Sequence, residues 1–365
     1  MQISKINNNI QTNFKGLEAQ KLQAIYVQGN ELLGGEETFK QLEAIAKQHK
    51  IGVLKTNYGA PWIQDNITFT PDGRVLTKNM EMGRNLANRH GFRYDRIMSE
   101  DKRKVHHVAG GNLFFATNNK GKKVAITAQD YFGENELKGY QNFYNVDKII
   151  ELPRADFHAD LFITPIGDNK ILVADDKMTL NSMLRMIEKI EDYINSNPNS
   201  QDCEKLILIA KRIYNKMMQF HESKIKYTAN GALDETANIL KDEGFEVIRV
   251  PSVVYQSYAP YEDKNLRLMY DMNFSNALTY KNDENEVVYI TGKSNLDDIF
   301  GISKDIQEKV GIGFEKMFID TLKPYIKPQN IHFILGDSNN PIYEILRNHK
   351  GGLHCMCAEV PLLED

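Results

Sequence analysis

One short unit recurs along this chain: an amphipathic helix, a brief apolar strand, then a loop of Gly, Pro, Asn or Asp. Glu36 to Lys50 carries Phe39, Leu42, Ile45 and Ala46 at helical spacing, followed by the strand-like run Ile51 to Leu54 and the loop Asn57 to Pro61. Gln141 to Asp147 leads into Lys148 to Leu152 and Pro153. Leu233 to Glu243 ends at Gly244, a helix-stop residue, and feeds Phe245 to Val250, closed by Pro251. Phe314 to Tyr325 precedes Ile331 to Leu335, closed by Gly336-Asp337. Repetition of a helix and a strand confines the chain to α/β architectures, although the four copies are too divergent for a true sequence repeat.

Pairs of strand-like runs lie between these units. Asn112 to Thr117 with Lys123 to Thr127, Leu161 to Pro165 with Lys170 to Ala174, and Leu268 to Tyr280 with Glu286 to Thr291 each read as a hairpin across a polar turn. A doubly wound sheet would lack so many hairpins, so small mixed α/β modules are expected. One segment, about residues 178 to 228, departs from the rhythm. Leu180, Met183, Leu184, Ile187, Ile190 and Ile194 share one helical face; Asn197-Pro198-Asn199-Ser200 breaks it; Leu206, Ile209, Ile213, Met217 and Phe220 form a second stripe. It reads as a helical hairpin inserted into, or flanking, the modules of one domain spanning residues 1–365. Its methionines suit either ordinary core packing or an adaptable binding surface.

Composition excludes several classes. With 365 residues, 41% apolar and 26% charged, the chain can bury a sizeable core. A net charge of −4 argues against a general nucleic-acid binder, and the interrupted basic runs Lys102 to Lys104 and Lys120 to Lys123 read as solvated turns. No apolar run approaches the roughly 20 residues of a membrane span. Three cysteines, Cys203, Cys355 and Cys357, are too few for a disulfide framework, and Met1 to Phe14 shows no secretory h-region. A reducing, cytoplasmic setting is therefore expected, with export by an unmarked route left open.

Four short segments carry groups able to do chemistry. Cys355 follows Gly351-Gly352-Leu353-His354. A cysteine there is either a buried structural residue or, as its thiolate, a nucleophile. His354, Cys355 and Cys357 are a further, metal-binding alternative, but they lack the paired spacing of structural zinc sites. His158 and Asp160 stand two apart, and extended backbone would aim both into one cavity. An imidazole beside a carboxylate suits proton transfer around a cationic substrate, or it is simply a solvated pair. Trp62-Ile63-Gln64-Asp65 places the single Trp beside an acid, as structural anchor or ligand contact. Gly110-Gly111-Asn112 opens a strand.

In this order, Trp-x-x-Asp, Gly-Gly-Asn, His-x-Asp and a late Gly-Gly-x-His-Cys, the segments resemble the guanidino-group-modifying enzymes. These are the catalytic branch of the pentein fold, an α/β-propeller of repeated ββαβ-type modules around a central active site. The resemblance spans roughly residues 50 to 361 and leaves the helical segment unmatched. Trp62 to Asp65 looks most like the protein-arginine deiminases, whereas Gly351 to Cys355 is closer to the agmatine and bacterial peptidyl-arginine deiminases.

Residue by residue, the resemblance implies Cys355 as nucleophile and His158 as general acid/base. Asp65 and Asp160 would hold the guanidinium nitrogens, with Trp62, Gly111, Asn112 and His354 around the substrate. It implies hydrolysis through a covalent amidino-thioether, with no metal or organic cofactor for the bond-making. The calcium dependence of vertebrate protein-arginine deiminases has no matched motif here and is not carried over. Ala109 stands where small-molecule deiminases of the family commonly carry an acid, which favours arginine in a protein or peptide over a small guanidine. Alternatives are an agmatine or arginine deiminase, an amidinotransferase, and a non-catalytic binding protein of the same fold. Replacing Cys355 by Ala or Ser is expected to abolish ureido-product formation while circular dichroism stays unchanged. Full retained activity would remove the nucleophile assignment.

Overall fold

The computed structural model describes residues 21–28, 35–56, 62–77, 79–96, 110–128, 134–227, 230–254, 268–349 and 351–362. The expected loop 57–61, the basic run 102–104 and Ala109 lie outside them. The chain is mixed α/β, and its strands form separate small sheets rather than one closed sheet. Five of these have three strands each and share one topology. A first strand runs antiparallel to the middle strand, and a helical crossover brings the third strand back parallel to the middle one.

In chain order, β1 (Leu22–Gln28), α1 (Gly35–Gln48) and β2 (Gly52–Thr56) begin the first module. The second is β3 (Ile67–Phe69), β4 (Arg74–Thr77), α2 (Met80–His90) and β5 (Arg93–Arg96). The third is β6 (Leu113–Thr117), β7 (Lys123–Thr127), α3 (Glu134–Tyr144) and β8 (Lys148–Glu151). The fourth is β9 (Ile163–Gly167), β10 (Lys170–Ala174), α4 (Asp176–Ser196), α5 (Cys203–Tyr227), α6 (Asn230–Asp242) and β11 (Glu246–Val250). The fifth holds β12 (Ala277–Lys281), β13 (Val287–Gly292), the helix Phe314–Leu322 and β14 (Ile331–Ile334). A two-stranded ribbon, β15 (Gly336–Asp337) with β16 (Asn340–Pro341), leads to the helix Ile342–His349. The last strand, β17 (Cys357–Pro361), pairs antiparallel with β1 and completes the first module.

Five apolar clusters join the modules, and each is shared by two of them. Strand alternation does this. In β6, Phe114 and Ala116 face the fourth module while Leu113 and Phe115 face the second. In β1, Ile25 and Val27 pack against the fifth module, and Ala24 and Tyr26 against the second. Strands buried on both faces read as continuous apolar runs, which is why β6 stood out in the sequence; β1, which carries Gln23 and Gln28 at its ends, was not among the strands read there. The helical pair α4–α5 sits in the crossover of the fourth module. Met183, Met186, Ile190, Ile209, Ile213, Met217 and Phe220 are buried in the cluster shared with the fifth. Most of the segment's apolar stripe is thus packed core, and so are the three methionines Met183, Met186 and Met217. Among the described residues no helix is long and apolar enough to cross a membrane.

Two departures from expectation have physical causes. The second module was not among the four helix–strand units, because β5 reads Arg-Tyr-Asp-Arg. Charge pairing supports it instead: Arg74 on β4 reaches Asp72 at 2.8 Å and Asp95 on β5 at 3.1 Å. The expected long strand from Leu268 starts only at Ala277. Tyr270–Met272 is a 3₁₀ turn, in which the buried Asp271 accepts from Arg347 Nε at 2.9 Å and Nη2 at 2.6 Å.

Helix α2 lies so close to its sheet that a Cβ on Gly83 would come within 2.3 Å of the Tyr94 ring and 2.7 Å of Thr77 Cγ2. Gly83→Ala is expected to destabilise by about 1–3 kcal/mol through overpacking, outweighing the alanine's better helix propensity. A urea midpoint equal to or above wild type would contradict that packing.

Candidate active site

The chemistry-bearing residues come from equivalent places in the modules, the turns just before each first strand. Asp65 lies in the turn preceding β3, and Gly110–Asn112 forms a 3₁₀ turn before β6. His158 is extended, with φ −127° and ψ 154°, and caps the 3₁₀ turn Ala159–Leu161 before β9. Asn273 to Asn276 precede β12, and the turn Leu353 to Met356 precedes β17. Contrary to the expectation from the sequence, His158 and Asp160 therefore do not meet by the i, i+2 geometry of a strand. A change from extended to 3₁₀ backbone between them brings both to the same centre.

Hydrogen bonds tie these turns in a circuit. The Ala159 N–H donates to Asn112 Oδ1 at 2.8 Å, and Asn273 Nδ2 donates to the Leu161 carbonyl at 2.8 Å. The His354 N–H donates to Asn276 Oδ1 at 2.9 Å, and the Gln64 N–H reaches the Cys355 carbonyl at 3.4 Å. A Gly111 N–H bond to Asp65 closes the remaining gap. Two glycines are required by close approach. A Cβ on Gly110 would sit 2.0 Å from the Gln64 carbonyl oxygen, and one on Gly111 would sit 2.6 Å from His158 Nδ1.

At the centre, one donor atom each from His158, Asp160 and Cys355 lie within 4.8 Å of one another, and all three residues are buried. Cys355 Sγ–H donates to Asp160 Oδ2 at 3.2 Å, and His354 Nδ1 lies 2.9 Å from the same oxygen. The other oxygen, Asp160 Oδ1, is buried without a hydrogen-bond partner among the described residues. Leaving it so costs about 1–3 kcal/mol. Asp65 Oδ1 is 4.0 Å from His158 Nδ1, so the imidazole stands beside both carboxylates. Phe157, 43% exposed, stacks on His158 with ring centres 4.1 Å apart.

The electrostatics follow from crowding acids around a thiol. Burial, then the neighbouring Asp160 and Asp65 charges, push the Cys355 thiol well above its ordinary range. Burial also raises Asp65, with Asp160 adding to the effect, while His158 and the Gly111 N–H oppose it. Burial alone would lower His354, yet Glu359 at 3.8 Å and Asp160 outweigh it and hold the imidazole above its usual value.

Sequence-chosen residues thus divide by position. Cys355, His158, Asp160 and Asp65 converge. Gly111 touches His158, whereas Asn112 and His354 hold the His158 and Asp160 segments through the bonds above. The Trp62 ring packs against the Gly351 turn, where a Cβ would approach it to 2.6 Å. The alternative of a metal bound by His354, Cys355 and Cys357 fails, because Cys357 is buried in the apolar cluster with Leu353 and Met356. Among the described residues, His158, Asp160 and Cys355 are the group whose donors could converge on an ion. Asn276 was missed. It lies in a stretch that read as strand, and its only mark is its place before β12, equivalent to that of Asp65 before β3.

No protein-family model and no curated protein matches the chain. Solved structures do. An agmatine deiminase from C. jejuni aligns over 95% of each chain at 15% identity, with a TM-score of 0.46. A cyanobacterial arginine dihydrolase aligns with 94% of this chain and 39% of its own at 13% identity, with a TM-score of 0.44. DDAH from Pseudomonas aeruginosa, in complex with citrulline, aligns with 81% of this chain and 98% of its own at 8% identity and a TM-score of 0.35.

The raised Cys355 pKa has a sign that can be measured. Alkylation of Cys355 by iodoacetamide is expected to show a midpoint above about 8.5, the value of an ordinary thiol, and to return towards it in urea. The folded state keeps its proton where the unfolded chain loses it, so stability falls as pH rises through that window. A folded-state midpoint at or below the unfolded one would contradict the arrangement of acids.

Proposed function

We propose that this chain is a Cys-dependent guanidine hydrolase, with peptide- or protein-bound arginine as its substrate. The observation that carries the reading is Asp160 Oδ1, a buried carboxylate oxygen with no hydrogen-bond partner among the described residues, beside a thiol and an imidazole. A planar guanidinium is the natural occupant. Its paired N–H donors would satisfy Asp160 on one side and Asp65 on the other, leaving the central carbon in front of Cys355.

Binding such a cation also changes the thiol. Two neighbouring carboxylates raise the Cys355 pKa, and a positive charge between them cancels that penalty. The thiol proton passes to His158, and the resulting thiolate attacks carbon and forms the S–C bond. A C–N bond breaks as His158 delivers a proton to the departing nitrogen, releasing ammonia and leaving the amidino-thioether. His158 next takes a proton from water, whose oxygen attacks the same carbon, and the S–C bond pair returns to sulfur. The balance is guanidinium plus water to a ureido product plus ammonium. These steps draw on the chain's own groups.

The modules are read as a pentein α/β-propeller forming one domain, with α4–α5 as an insertion in it. The five shared clusters, with β17 back on β1, support that ring. Ala109, the sequence feature favouring a protein substrate, is outside the described residues.

Arginine, agmatine, a blocked arginine ester and an arginine-rich protein are the test substrates, with ureido product and ammonia measured for each. Activity on the blocked and protein substrates alone is expected. Turnover of free arginine or agmatine alone would replace the protein reading with a small-molecule one. Transfer of the amidino group to an added amine without ammonia would make the chain a transferase. On the best substrate, Asp160→Asn removes a charge-assisted bond of about 1.5–3 kcal/mol, so KM should rise roughly ten- to a hundredfold. An unchanged KM would take guanidinium binding away from Asp160.

A further inference from the structure

We propose that the outward face of α5 is a docking surface for an anionic lipid bilayer, on which the helix lies in the plane of the headgroups without crossing them. The inference is independent of the hydrolase reading.

Helix α5 has two apolar faces. Leu206, Ile209, Ile213, Met217 and Phe220 are buried in the cluster shared with the fifth module. On the opposite side Ile207, Tyr214 and Met218 stand at i, i+7 and i+11, which sets them in one row along the helix, with Leu208 beside it. These four side chains are between 38% and 50% exposed. The row continues onto a neighbouring element. Arg212 Nη1 donates to the Phe300 carbonyl at 3.4 Å, and the helix Leu296–Phe300 adds the exposed Ile299. Ten large apolar side chains are exposed among the described residues, and half of them gather here. Scattered singly they would need no explanation; gathered on adjoining elements they mark a contact surface.

Charge decides the occupant. The chain as a whole carries −4, yet the sequence of α5 holds six Lys and Arg against two Glu. Lys205, Lys211 and Arg212 are exposed, and Lys211 stands in the apolar row itself, between Ile207 and Tyr214. Glu204 and Glu222 are the exposed acids that oppose them. Apolar side chains interleaved with long cationic ones suit an acidic headgroup layer. The apolar groups enter the acyl boundary, the lysine stems lie along it with their ammonium groups at the phosphates, and a Tyr fits the interface. A second copy of the chain would set two cationic faces against each other. A protein partner would need a groove to receive a convex helix side, whereas a fluid lipid surface adapts to one. The same charges keep α5 from spanning the bilayer.

Co-sedimentation of the full chain with vesicles tests this, using phosphatidylglycerol in phosphatidylcholine as the anionic surface and phosphatidylcholine alone as the neutral one. The wild-type chain should pellet with the anionic vesicles only, and added salt should release it. Lys205→Gln with Lys211→Gln should weaken partitioning roughly fivefold per lysine, the factor a charge near an anionic surface is worth. Ile207→Ser with Tyr214→Ser should weaken it roughly tenfold or more, because two apolar side chains leave the acyl boundary. All four positions are exposed, so urea midpoints should stay close to wild type, which separates lost docking from lost folding. A chain that does not pellet with anionic vesicles overturns the inference. Pelleting that the Ile207 and Tyr214 variant retains in full would be adsorption by charge alone, and overturns it too. A chain that ignores both vesicles but forms a dimer, lost in that same variant, would give the face to a second copy instead. Pelleting needs no turnover, so it stands or falls apart from the hydrolase reading.

Discussion

Everything at the candidate site depends on the pairing of β17 with β1, which sets Cys357 opposite Val27 and Pro361 opposite Leu22. That ladder joins the two ends of the described chain. It places the turn holding Cys355 next to the turn holding Gln64 and Asp65, which the sequence separates by some 290 residues. Both faces of β1 are buried, Ile25 and Val27 on one side and Ala24 and Tyr26 on the other. A slip of register by one residue would exchange these sets and turn Cys355 away, so core packing fixes the position of the Cys355 thiol.

The centre itself works against stability. A thiol, two carboxylates and an imidazole are buried together, and one carboxylate oxygen has no partner among the described residues. Such a group is costly, and burial of this kind persists where the surrounding fold over-determines it. The over-determination is visible in the circuit of turn-to-turn hydrogen bonds and in glycines that leave no room for a side chain. A cation between Asp65 and Asp160 would satisfy the orphaned oxygen and lower the electrostatic cost of a negative sulfur together.

Four of the five helix–strand units could be read from periodicity, because an amphipathic helix leads in each to a short strand with a buried apolar centre. The second module could not. Its strand Arg93–Arg96 is charged, and Arg74 bridging Asp72 and Asp95 supports it, a contact between residues that local pattern does not connect. The segment from Leu268 misled for the same reason. The Arg347 guanidinium on Asp271 holds a 3₁₀ turn where alternation suggested strand.

By itself the sequence determined an α/β chain of repeated modules with a helical pair, and it singled out a thiol, an imidazole and two acids. Periodicity and residue chemistry are local properties and can be read one segment at a time. Only the tertiary structure decided that Asp160 is shared by Cys355 and His354, that Cys357 belongs to the core, and that Asn276 faces the sulfur. Those facts depend on which turns meet across the modules. That meeting is set by shared apolar clusters and by the return of β17 to β1, which involve residues far apart in the chain.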